Sequence, residues 1–79
     1  MSARLIEILG PGCAKCEMLA QHAEEAAKAL GLEYAVIKVT DPAAMMRYGV
    51  MQTPALVVDG QVKLVGRVLT AEKLKAMIA

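Results

Sequence analysis

Two short aliphatic runs, Arg4 to Leu9 and Glu33 to Val39, are separated by a long alanine-rich segment with helical spacing. From Ala14 to Leu30, Cys16, Leu19, Ala20, Ala23, Ala26, Ala27 and Leu30 fall on one face. Lys15, Glu17, Gln21, Glu24, Glu25 and Lys28 fall opposite, and Gly31 is placed to end the helix. Strands joined through a helix lie parallel, and that crossover is right-handed in nearly all folds. The first half of the chain is thereby committed to a βαβ unit. Near-continuous apolarity in the first run argues for burial on both faces, with Glu7 the exception in its middle.

The second half is punctuated as clearly. Asp41-Pro42 supplies an N-cap followed by proline at the first helical position, predicting a short helix to about Tyr48 that Gly49 closes. Ala55 to Val58 and Gln61 to Val65 flank Asp59-Gly60, the dipeptide suited to a two-residue type I′ turn, and read as a β-hairpin. Thr70 caps a last helix, Glu72 suits its positive end, and Leu69 is spaced to pack on Leu74 as a hydrophobic staple. Leu74, Met77 and Ile78 form its apolar stripe. The expected order is β-α-β-α-β-β-α, an α/β fold with helices on both faces of one four-stranded mixed sheet. No repeat or linker interrupts it, so one domain over residues 1–79 is expected.

Without Phe or Trp, the core has to be filled by Leu, Val, Ile, Ala and the six Met. A net charge of +1 gives no electrostatic case for nucleic acid or an anionic membrane. The stretch Met1 to Glu7 does not read as a leader, and no apolar run approaches a membrane span. A cytoplasmic setting is expected, where a Cys pair is more often catalytic or metal-binding than a structural staple.

That pair follows the first strand in Gly10-Pro11-Gly12-Cys13-Ala14-Lys15-Cys16. A thiol at the start of a helix faces unpaired N–H groups and the positive end of the macrodipole, both of which favour the thiolate. A free thiol with a pKa of about 8.5 is only roughly 3% ionised at neutral pH, so a downward shift multiplies the nucleophile. Cys13 is expected to be the exposed, acidified thiol and Cys16 its more buried partner one turn on. Lys15 either tunes the thiolate or is simply solvated.

Four landmarks together resemble the thioredoxin fold over nearly the whole chain. They are Cys13-Ala14-Lys15-Cys16 after the first strand, Tyr48-Gly49-Val50-Met51-Gln52-Thr53-Pro54, the Asp59-Gly60 hairpin, and Val65-Gly66 before the terminal helix. The chain is most similar to small bacterial and archaeal redox-active disulfide proteins with a Gly-x-Gly-Cys-x-x-Cys loop, a minimal form without the extra N-terminal elements of full-length thioredoxin. The resemblance implies a thiol–disulfide oxidoreductase in which Cys13 attacks a substrate disulfide and Cys16 resolves the mixed disulfide. It implies a cis Pro54 against the cysteines, with Thr53, Pro54 and Gly12 meeting an extended substrate segment. Disulfide-containing proteins and a thioredoxin-reductase-like flavoprotein are the implied partners. The Cys13–Cys16 disulfide is the only redox group implied, with no further cofactor and no metal, and the chain is expected to be a monomer. The loop lacks the Trp before the first Cys and the Gly-Pro between the cysteines that mark thioredoxin. It also lacks the Thr-Val-Pro and Gly-Gly-x-x-Asp segments of glutaredoxins.

Several alternatives stand open on the residues alone. Glu7 lies where thioredoxins keep a buried Asp that assists proton transfer to the resolving Cys; it is either such a relay or a carboxylate at a sheet edge or paired with a Lys. His22, about 240° round the helix from Cys16, is expected at the surface and out of reach of the thiols. Met45, Met46 and Met51 either line an adaptable docking surface beside the cysteines or fill gaps in the core. The rival function is a soft-metal carrier for copper, zinc or arsenic through the same two thiolates. Metallochaperones of that kind resemble a Met-x-Cys-x-x-Cys loop on a β-α-β-β-α-β order, whereas here Pro11 stands where that Met would be.

Overall fold

The computed structural model describes residues 3–79. Met1 and Ser2, which open the stretch read as lacking leader character, lie outside the described residues. The elements are β1 (Arg4–Leu9), α1 (Ala14–Ala29), β2 (Tyr34–Val39), α2 (Pro42–Arg47), β3 (Ala55–Val58), β4 (Gln61–Val65) and α3 (Ala71–Ile78), in the expected order. The sheet runs β2-β1-β3-β4. β1 pairs parallel with β2 and antiparallel with β3, and β3 pairs antiparallel with β4.

Strand alternation divides β1 between two cores. Ile6 and Ile8 join Cys16, Leu19, Ala20, Ala23, Ala26 and Ala27 of α1 and Leu74 and Ile78 of α3 in the larger cluster. Leu9, on the other face, joins Val50, Ala55 and Val57, with Val39, Met45 and Tyr48 packed against them. Small alanines on α1 let the helix lie close to the sheet, and α3 packs beside it. α2, of six residues, covers only part of the second face, leaving Leu5 and Ile37 exposed there.

Both longer-range helix stops rest on glycine. At the end of α1, Gly31 adopts φ 70, and the N–H groups of Gly31 and Leu32 donate to the carbonyls of Lys28 and Ala27 at 3.0 and 3.1 Å. This is a Schellman closure, and it places Leu30 at the C-cap with its side chain exposed rather than on the buried face expected for it. α2 ends the same way: Gly49 at φ 69 donates to Met46 and Val50 donates to Met45, at 3.0 and 2.9 Å.

Asp59 and Gly60 have φ 50 and 83, the two positive values a type I′ turn needs. The hairpin register then slips: Leu56 faces Leu64 while Val57 faces Val62, so Lys63 is an extra, bulged residue that alternation alone did not foretell. The Asp59 carboxylate accepts from Leu5 N–H at 2.8 Å and lies 3.7 Å from the Arg4 guanidinium, fastening the turn to β1. Thr70 accepts from Lys73 N–H, and Leu69 and Leu74 meet in one cluster as the staple requires.

Leu74 is fully buried between α1 and the sheet. Leu74→Ala is expected to cost about 2–5 kcal/mol through lost transfer energy and the cavity left behind. Its denaturant midpoint should fall accordingly.

Candidate active site

Three segments converge at the end of β1. Gly10 extends the strand by donating to Val39 O at 3.0 Å and is buried. A Cβ on Gly10 would overlap the Cys16 sulfur and would stand 3.6 Å from Thr53 Cβ and 3.7 Å from Cys16 Cβ. Cys16 and Thr53 therefore flank the bare backbone of Gly10, and only glycine leaves the room. In the sequence Gly10 is only the first residue of the segment that carries the cysteines; that it faces the resolving sulfur is a tertiary fact that local composition does not carry. Gly12, at φ 87, turns the chain outward and is exposed, directly before Cys13.

Cys13 occupies the N-cap of α1 in extended conformation, φ −75 and ψ 173, so its sulfur stands outside the helix while Cys16 turns inward. Cys13 is exposed, Cys16 is 2% exposed, and both are free thiols. Their sulfurs lie 3.2 Å apart. The Cys13 pKa is held below the ordinary thiol value, first by the Cys16 thiol and then by the Cys16 backbone N–H. Desolvation opposes this, while the N–H groups of Lys15 and Cys13 lower the pKa further. Lys15 thus acts on the thiol through its peptide N–H, and its exposed side chain is not needed to explain the shift.

The Thr53–Pro54 peptide is cis; Pro54 is buried, Thr53 is exposed, and Pro54 O accepts from Gly66 N–H at 2.8 Å. Cys13, Cys16, Gly12, Thr53 and Pro54 are thus brought to one end of the sheet. Glu7 is not brought to the sulfurs by any hydrogen bond among the described residues. It sits on an interior strand, so the sheet-edge alternative does not hold, and among the described residues no Lys pairs with it. Alternation puts it on the face opposite Ile6 and Ile8, where Tyr48 Oη donates to its carboxylate at 3.0 Å. That bond, together with desolvation and the Glu7 charge, raises the Tyr48 pKa.

His22 is half-buried rather than a plain surface residue: its Nδ1 lies 2.9 Å from Leu69 O. A carbonyl only accepts, so Nδ1 carries the hydrogen and ties α1 to the segment entering α3. The methionines divide. Met45 packs in the smaller core, whereas Met46 and Met51 are 80% and 93% exposed. Beside Cys16, Glu17 accepts two bonds from Lys38 Nζ at 2.6 and 2.7 Å, joining the first turn of α1 to β2. Two adjacent sulfurs are soft donors, but among the described residues no group of three or more His, Cys, Asp or Glu is gathered to hold a metal.

Residues 4–79 match a family model described as a thioredoxin domain. The chain is similar to a thioredoxin of Methanothermobacter thermautotrophicus, with 38% identity over 74 residues covering 94% of this chain and 96% of that one. It is also similar to a thioredoxin of Methanocaldococcus jannaschii, with 30% identity over 71 residues, 90% of this chain and 81% of that one. Among solved structures, a malaria parasite thioredoxin-2, described as a component of protein secretion machinery, superposes with a TM-score of 0.67 over 95% of this chain and 80% of its own. At 13% identity that likeness speaks for the fold alone.

Two outcomes follow from the geometry. Cys16→Ala removes the largest influence on Cys13 and leaves the backbone donors in place. The pH midpoint for Cys13 alkylation by iodoacetamide should therefore move upward, slowing the reaction at neutral pH. Gly10→Ala forces the Cys16 sulfur aside and is expected to cost about 1–3 kcal/mol as an overpacked site. It should lower the denaturation midpoint and slow closure of the Cys13–Cys16 disulfide under mild oxidation.

Proposed function

This chain belongs to the thioredoxin domain family, and on that premise we propose a dithiol cycle in which Cys13 is the nucleophile and Cys16 the resolving thiol. Family membership carries thiol–disulfide oxidoreductase chemistry in general. The finer assignment is supported by one observation above the others: two free thiols 3.2 Å apart, one exposed and one buried.

In the forward direction the Cys13 thiolate attacks one sulfur of a protein disulfide, forming a mixed disulfide and releasing the other substrate sulfur as a thiolate that takes up a proton. Cys16, deprotonated, then attacks Cys13 Sγ and expels the second substrate thiol. The substrate gains two electrons and two protons, and the protein is left with a Cys13–Cys16 disulfide. Closure shortens the 3.2 Å sulfur separation to about 2.05 Å, a displacement that needs little backbone movement. A flavoprotein reductase of the thioredoxin-reductase class returns the two electrons, so the disulfide is the only redox group the chain itself requires.

Thr53 is assigned to substrate binding. It is exposed beside Gly10, across from Cys16, and its peptide groups suit pairing with an extended substrate backbone next to the scissile disulfide. Gly12 allows close approach of that backbone because it has no side chain. Pro54, buried beneath, backs the segment. The cycle is placed in the cytoplasm, with the chain acting as a single domain and a monomer on disulfide-containing proteins.

Cys16→Ser is expected to accumulate substrates as mixed disulfides through Cys13, released by dithiothreitol and seen as shifted bands on non-reducing gels. Cys13→Ser should trap nothing and should lose reduction of insulin. Full dithiol-dependent reduction by Cys13→Ser would defeat the assignment.

A further inference from the structure

We infer that the Tyr48 hydroxyl is a positioning group for the substrate-facing loop: by bonding Glu7 it sets where residues 49–53 stand beside the thiols. The inference rests on the oxidoreductase reading above and adds to it a residue that acts on protein substrates rather than on the sulfur chemistry.

The loop between α2 and β3 has fixed ends and an exposed middle. Val50 is buried and donates to Met45 O at 2.9 Å, and Pro54 is buried at the other end. Between them Met51, Gln52 and Thr53 are exposed, Met51 to 93%. The loop's starting point is α2, a six-residue helix that buries only Ala44 completely and cannot hold its own orientation through a long packed face. Tyr48 is its C-cap. The ring packs against the smaller core, and the hydroxyl crosses to Glu7 at 3.0 Å.

Glu7 is a well-chosen anchor on physical grounds. It lies on β1, hydrogen-bonded on both sides by β2 and β3, and the same strand runs into Gly10, where a Cβ would overlap the Cys16 sulfur. The rigid strand is therefore a common reference for the sulfur and for the loop. A bond to a carboxylate is stronger and more directional than one between neutral groups. Its loss frees the helix end and disperses Met51 and Thr53 over more positions, which weakens binding of a large partner without altering the thiols.

The test uses Tyr48→Phe, which keeps the packed ring and deletes only the hydroxyl, with dithiothreitol as electron donor. Insulin is the protein disulfide and 5,5′-dithiobis(2-nitrobenzoate) the small one. The KM for insulin is expected to rise about fivefold, with kcat within about twofold, the size expected for one lost hydrogen bond of ordinary net strength. The rate with the small disulfide and the pH midpoint of Cys13 alkylation should not move. Glu7→Leu should raise the insulin KM in the same way, and the double variant should be no worse than either single one. An unchanged insulin KM in Tyr48→Phe, or an equal fall with both disulfides, overturns the positioning role while leaving the oxidoreductase reading intact. A native protein that reduces neither disulfide overturns both.

Discussion

Gly10 carries no side chain, and the space that leaves is taken by the sulfur of Cys16, with Thr53 close by. Close approach of this kind ties three distant parts of the chain to one point: the end of the first strand, the first turn of the long helix and the loop before the third strand. The parallel pairing of β1 with β2 keeps Gly10 in line, through its bond to Val39. The antiparallel pairing with β3 brings the Thr53-Pro54 segment alongside. Sulfur chemistry at this end of the molecule is thus a consequence of sheet register as much as of the cysteines themselves.

The difference between the two thiols follows from helix geometry. An N-cap residue stands outside the helical spiral and a residue three positions later stands inside it, so the same Cys-x-x-Cys spacing gives one sulfur to solvent and one to the core. The exposed sulfur lies against the buried thiol, and the peptide N–H groups of Cys13, Lys15 and Cys16 at the helix start favour its ionised form. Local charge is unnecessary for that effect: Lys15, in the first turn of α1, contributes through its peptide group rather than its ammonium group.

Much of this was legible from residues alone because the signals were local. The hairpin followed from Asp59-Gly60, the helix starts from Asp41 and Thr70, the helix ends from Gly31 and Gly49, and the inward face of α1 from its alanine spacing; all depend on near neighbours in sequence. What sequence missed depends on partners far along the chain. Glu7 could be read as a relay, an edge carboxylate or half of an ion pair, and only the fold supplied Tyr48, 41 positions away, as its donor. His22 found the carbonyl of Leu69 across 47 positions. The bulge at Lys63 is a compromise between two registers, and no single-strand pattern encodes it.

The two sides of the sheet end differently, and that has a consequence for how the molecule meets others of its kind. On β4 the extra residue at Lys63 breaks the rhythm of outward-pointing peptide groups, spoiling that margin as a template for a further strand. β2 has no such interruption over its six residues and shows Ile37 at its outer surface, with Lys38 already drawn away by Glu17. Edge-to-edge stacking at high concentration therefore has one open margin to use, and a charge introduced at Ile37 is where solubility would be gained without approaching the sulfurs.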